Sequence, residues 1–333
     1  MNRDTISKYI DLHAHLDGSI TVEILKKLAE IQQLELPVAS DEELKKLITV
    51  SEDCQSLNEF LQCFELPGKY MQTEQGIREA VKLVLANMDD GGVVYAEIRF
   101  APQLHTFEGL SQSQVIEAAL AGLKEAPIPA NLILCCMRGE DNAAQNKETV
   151  ELAKKYLVED GGVVAIDLAG AEGLYPNERF KTIFEDAHAA GIPITIHSGE
   201  AGGAENVASA IEMGACRVGH GVRIAGNDRI MQLVKEKGIT LEMAPTSNRQ
   251  TKTVADMKAE YPLKQFLQYG LKVTINTDDM AVEGTTLADE FRYIEREFGI
   301  TAEEEKRMLG YAVDAAFTSE ARKSELRKML AIE

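Results

Sequence analysis

The amino-acid sequence predicts an α/β fold in which parallel strands close into a (β/α)8 TIM barrel, with a helical insertion after the first strand. Short β-branched or apolar runs recur along the chain, and each ends in a few polar or glycine residues. Each run is followed by a segment of helical periodicity, and the runs number eight. The length of 333 residues exceeds the about 250 typical of such a barrel but lies within what one domain with insertions reaches. A doubly wound open sheet would alternate strands and helices as well, so the strand count carries the choice of a closed barrel.

In chain order the candidate strands are Tyr9–His15, Val93–Phe100, Asn131–Arg138, Val163–Leu168, Pro193–His197, Arg217–His220, Ile239–Met243 and Lys272–Thr277. Between the first two lies Thr21–Asp90, too long for one crossover helix and therefore an insertion. Within it, Leu57, Phe60, Leu61 and Phe64 fall at i, i+3, i+4 and i+7, the apolar stripe of an amphipathic helix over Ser56–Tyr70. That stripe either packs on the barrel or forms a lid facing ligand, because the βα loops make up the active face. Neither a linker nor a low-complexity segment interrupts residues 1–333, which reads as a single domain.

Composition excludes several classes of function. Hydrophobic residues at 45% and charged residues at 27% are the balance of a globular protein. A formal net charge of -19 repels polyphosphate backbones, so nucleic acid is not an expected partner. The longest apolar runs fall far short of the roughly 20 residues that span a bilayer, and Met1–Tyr9 has no signal-peptide pattern. A cytoplasmic protein is expected. Cys54, Cys63, Cys135, Cys136 and Cys216 form no CxxC pair and are odd in number, which points to buried free thiols rather than disulfides or a thiolate metal site.

The chemistry lies at the strand ends. His13 and His15 stand two apart on the first strand and project to the same side. His197 closes the fifth strand and Asp278 follows the eighth. In a closed barrel these strand ends meet at one mouth, and three imidazoles with a carboxylate suit zinc while leaving room for water. His220, at the end of the sixth strand, lands nearby, whereas His105 and His188 are expected to be structural. A zinc-bound water has a pKa of about 7 and supplies a nucleophile at neutral pH. Attack on an aromatic carbon also needs a proton delivered to a ring nitrogen, and Glu200, three residues past His197 on the same loop, is placed to deliver it. Its bland alternative is a loop salt bridge.

The segments Asp11-Leu12-His13-Ala14-His15-Leu16-Asp17-Gly18-Ser19, Asp167 to Glu172, His197 to Glu200, Gly219-His220-Gly221, Pro245 to Asn248 and Asn276 to Asp279 resemble, in order, the signatures of the adenosine/adenine deaminase family of the amidohydrolase superfamily. The resemblance covers nearly the whole chain. It implies one zinc ion per chain on His13, His15, His197 and Asp278, proton delivery to purine N1 by Glu200, and orientation or deprotonation of the attacking water by His220. It further implies that Asp279 meets N7, that the Gly170 amide meets N3 and that Asp17 accepts from the ribose. Turn geometry is the alternative for Gly170 and Gly18, and helix capping for Asp17.

The substrate implied is a small purine nucleoside. A carboxylate at Asp17 would repel a 5′-phosphate, and no glycine-rich loop ending in Lys-Ser or Lys-Thr cradles one. Adenosine over adenine rests on the insertion, where Leu57, Phe60, Leu61 and Phe64, with Leu66-Pro67 and Met71-Gln72-Thr73, resemble the adenosine branch and its lid helix. Adenine, or a modified nucleoside such as an aminofutalosine, is the alternative within this chemistry. Outside it stand a two-metal amidohydrolase and a nucleoside-binding protein without activity. Val163 to Glu172 contains no lysine that could bridge two metals. Met280 in place of a common proline and Ser198 in place of a common alanine are departures expected to lie at the mouth. Oligomeric state is not encoded in any motif.

Overall fold

In the computed structural model, which describes residues 7–51, 60 and 62–332, the strands are β1 (Tyr9–His15), β2 (Val93–Phe100), β3 (Ala130–Met137), β4 (Val163–Ala169), β5 (Thr195–Ser198), β6 (Arg217–His220), β7 (Thr240–Met243) and β8 (Lys272–Ile275). β1 to β4 and β5 to β8 form two parallel four-stranded ladders. Two seams join them into a barrel. Ile166 bridges to Ile194 between β4 and β5, and Ala14 bridges to Asp278 beyond the end of β8. At the second seam Asp278 N donates to His13 O and His15 N donates to Asp278 O, both at 2.8 Å. Chain closure therefore clamps a candidate metal ligand from the eighth strand between two from the first.

The strands match the expected ones to within two residues, and the differences have local causes. Pro193 has no N–H to give a ladder, so β5 starts at Thr195 instead. β8 ends at Ile275 because the chain bends towards Asp278, whose φ of 62° is incompatible with a strand.

Four helices in the described part of the insertion, Val22–Gln32, Asp41–Ile48, Glu65–Lys69 and Glu74–Asp90, lie between β1 and β2. Thr21, Ser40 and Thr73 each cap one by accepting from a first-turn amide. Only part of the amphipathic helix expected over Ser56–Tyr70 falls on described residues. There the chain is helical at Phe60, Gln62 and Glu65–Lys69, with a turn at Cys63 and Phe64.

The outer face of each strand packs against helices through Val, Ile and Leu, as in β3, where Leu132 and Leu134 are wholly buried. The inside of the barrel is different. Glu97, Arg99, Asp167, Arg217 and Glu242 are at most 1% exposed and fill it with ion pairs. Arg217 meets Glu97 at 2.7 Å and Glu242 at 2.6 Å, and Arg99 meets Glu242 at 2.8 Å and Asp167 at 2.9 Å. Each carboxylate has a cation, so the charges are paired rather than stranded.

The cysteine expectation needs one correction. Cys135 and Cys136 are buried free thiols, but Cys216 is exposed, and Cys54 lies outside the described residues. Among the described residues no helix is long and apolar enough to cross a membrane.

Candidate active site

Alternation along β1 sends Asp11, His13 and His15 inward, and the strand ends bring His197 and Asp278 to them. His13 Nε2 lies 3.0 Å from His197 Nε2, and His15 Nε2 lies 3.2 Å from the same atom. Asp278 Oδ1 lies 3.2 Å from His13 Nε2 and 3.4 Å from His15 Nε2. His220 approaches from the side. Its Nε2 is 3.7 Å from the other Asp278 oxygen and 3.6 Å from Glu200 Oε2. Donor atoms of His13, His197, His220 and Asp278 all fall within 4.8 Å of one another, so His220 competes with His15 for a place in any ligand set. The tighter contacts belong to His15. His220 instead faces Glu200.

The outer ring nitrogens are spoken for. His13 Nδ1 is 2.7 Å from Glu242 Oε2, and His197 Nδ1 is 2.8 Å from Asp167 Oδ2. Each carboxylate holds a proton on Nδ1 and turns the Nε2 lone pair inward, the arrangement that metal-binding histidines adopt. Burial pushes the His15 and His197 imidazoles below their usual pKa. Burial and Arg99 press the same way on His13, but Asp278 and Glu242 outweigh them and raise it to about 9. Asp278 is held well below the carboxylate range by His13 and its neighbours, although burial alone would raise it. His220 at φ 64° and Asp278 at φ 62° are left-handed non-glycine residues, a strain that clusters at functional sites.

Glu200 is the most exposed member, with 22% of its side chain open to solvent. Thr251 donates its hydroxyl to Glu200 Oε1 at 3.1 Å, and the Asn248 amide meets His220 Nδ1 at 3.1 Å. Among the described residues no lysine or arginine forms a salt bridge with Glu200, and His220 is the imidazole beside it.

The residues expected to touch substrate divide. Gly18 packs so closely on Asp279 that a Cβ there would stand 1.9 Å from Asp279 Oδ1, so close approach and not turn geometry alone requires a glycine. Asp279 Oδ1 is buried without a hydrogen-bond partner. Burial, then the charges of Asp278, Asp17 and Glu200, push its carboxyl well above the usual range, which suits a carboxylic acid that donates a proton to an acceptor. Asp17 opens the short 3-10 helix Asp17–Ser19, and burial raises it to about 6. Gly170 has φ 97°, so turn conformation demands glycine there, and a Cβ would meet nothing closer than 3.4 Å. Phe60 packs against Val50, Cys63 and Val282, with Phe64 beside it. Val282 stands on the short helix Met280–Glu283 directly after Asp279, and this is a packing contact for Phe60. Leu57 and Leu61 lie outside the described residues.

Two expectations are corrected. Ser198 is wholly buried and accepts from Asn177 Nδ2 at 2.9 Å, and Met280 is 5% exposed within the core. Neither side chain lines the mouth. His188 is exposed on the helix Lys181–Ala189, and His105 is buried, bonded to Met71 O at 3.1 Å, as structural histidines would be.

Sequence reasoning missed the layer behind the ligands. Glu242, Arg99 and Glu97 had a signal: charged residues at alternating positions in otherwise apolar strands must face one another inside the barrel. Asp167, Glu172 and Asn248 stood in the matched motifs without a role.

Comparison with known proteins agrees with this geometry. The family profile described as adenosine deaminase matches residues 9–332. An adenosine deaminase from Haemophilus ducreyi is 45% identical over 323 residues, 95% of this chain and 94% of the relative. The solved adenine deaminase from Arthrobacter aurescens superposes with a TM-score of 0.84 at 26% identity, covering 98% of both chains. The N6-methyl-AMP deaminase from Arabidopsis thaliana gives 0.82 at 26% identity over 98% of this chain and 96% of that one. With a closed parallel barrel, a histidine and aspartate cluster at its mouth and a match along almost its full length, the chain belongs to the adenosine deaminase family.

Proposed function

We propose that this enzyme, a hydrolytic deaminase by family, converts adenosine and 2′-deoxyadenosine to the inosine product and ammonia, using one zinc ion held by His13, His15, His197 and Asp278. The observation that carries this reading is the meeting of those four donors beside the Glu200 carboxyl and a further histidine.

The donor set fits the ion. Ligand atoms about 2.0–2.1 Å from one zinc ion would lie about 3.3 Å apart, and four of the six separations among these donors run from 3.0 to 3.4 Å. The hydrogen bonds to Glu242 and Asp167 free the required lone pairs. When bound, zinc supplies an ionised water as nucleophile at neutral pH.

The chain's own residues do the rest. His220, fixed by Asn248, orients the attacking water and receives a proton at Nε2. Glu200, steadied by Thr251, delivers a proton to N1, so that attack at C6 does not build an unstabilised anion on the ring. Asp279, backed by Gly18, donates to N7, the Gly170 amide meets N3, and Asp17 accepts from the ribose. The apolar stripe Leu57, Phe60, Leu61 and Phe64, in the insertion at about 21–90 of a single barrel domain, is the segment proposed to cover the nucleoside, with Phe60 anchoring it by packing against Val50 and Val282.

The acidic surface and Asp17 support a nucleoside over a nucleotide, and the 45% identity to an adenosine deaminase supports adenosine over adenine. Absorbance tests both points: loss of the adenosine band on mixing with zinc-loaded protein, with AMP and adenine left unchanged, is the expected result. Turnover of adenine without turnover of adenosine would overturn the substrate assignment.

A further inference from the structure

Glu172, at the end of the motif that contains Asp167 and Gly170, has no part in the reaction described above, yet its carboxylate is among the most heavily bonded in the protein. It is 3% exposed. Its two oxygens accept from the backbone amides of four consecutive residues, Gly199 at 2.7 Å, Glu200 at 3.0 Å, Ala201 at 2.8 Å and Gly202 at 2.8 Å. Asn206 Nδ2 adds a fifth bond at 3.0 Å. Such a run of amides forms a concave nest that attracts an anion. Here a side chain from the loop after β4 fills the nest made by the loop after β5. Burial would raise the Glu172 carboxyl, but these bonds hold it below its usual range, so it stays an acceptor.

The nest carries the proposed acid. Glu200 is one of its four residues, and Arg223 Nε donates to Glu200 O at 2.5 Å from the opposite side. The backbone beneath Glu200 is therefore gripped at both its N–H and its C=O. Its side chain, partly open to solvent, meets Thr251 and His220 among the described residues. Loop geometry, more than side-chain packing, determines where the carboxyl points.

We propose that Glu172 is a positioning residue for Glu200, fixing the loop so that the acid faces the ring nitrogen. The inference rests on the deaminase reading and on Glu200 as proton donor. Glu172→Gln presents an N–H₂ group to amides that need an acceptor, and is expected to lower kcat by about tenfold to a hundredfold with KM within about twofold and zinc content unchanged. The decisive readout is a double-mutant cycle. If Glu172 acts through Glu200, adding Glu172→Gln to Glu200→Gln costs almost nothing more, whereas a merely structural role gives the same loss in both backgrounds. Should Glu172→Gln not fold, Gly202→Ala loosens the nest from its other wall, because its Cβ would lie 2.6 Å from Glu172 Oε1, and the same pattern is expected. Unchanged kcat, or additive losses, would overturn the proposal alone. A near-normal Glu200→Gln would overturn the acid assignment and the proposal with it.

Discussion

Glu242 holds the Nδ1 proton of His13 at 2.7 Å, with both side chains wholly removed from solvent. The same oxygen accepts from Arg99, whose other arm reaches Asp167, the partner of His197. One guanidinium thus ties together the two carboxylates that orient two candidate ligands.

Glu242→Gln should therefore weaken zinc binding by about 10–100-fold, the usual worth of such a partner, as read by competition with a chelating dye. Arg99→Met strips buried Asp167 of its arginine, leaves Glu242 with Arg217 alone, and should cost about 3–5 kcal/mol in denaturant unfolding. Parent-like zinc affinity in Glu242→Gln would show that His13 needs no orienting partner.

Glu200→Gln is expected to retain zinc and lose on the order of 10²–10⁴ in kcat. Asp278→Ala should instead lower the metal content. Elemental analysis beside steady-state kinetics separates the two, and an unchanged zinc ratio in Asp278→Ala removes that residue from the ligand set.

Gly18→Ala places a methyl against Asp279 Oδ1 and must push the Asp279 carboxyl from its place. Displacement of a substrate-contacting group by about 1 Å can cost around a hundredfold in rate, so kcat/KM should fall by about that factor with zinc retained. Full activity would mean that Asp279 does not touch the purine.

His105 gives the fold a pH dependence. Burial lowers its pKa to about 4, so the folded protein refuses a proton that the unfolded chain takes up below its ordinary value of 6.5. Its contribution is intact above 6.5 and is lost progressively as pH falls to about 4, a total of about 3 kcal/mol. Urea unfolding of His105→Leu should show less loss between pH 7 and pH 4 than the parent. Parallel curves would contradict it.

Much of the fold was legible because a parallel barrel repeats one local pattern, and β1, β2 and β6 begin and end where the apolar runs do. The ligands were legible because histidines are rare in this chain and stand at strand ends. What stayed hidden depends on contacts between distant segments. Nothing local to Arg99 says that it spans Glu242 and Asp167, or that Ser198 bonds to Asn177. Glu172 meets its nest only once β4 and β5 lie side by side across the seam at Ile166 and Ile194.

The central claim is that His13, His15, His197 and Asp278 gather on one zinc ion that activity requires. Titrating zinc into chelator-stripped protein while following adenosine turnover tests it most directly. The expected result is no turnover without metal and full recovery at one equivalent per chain; undiminished turnover by metal-free protein would contradict it.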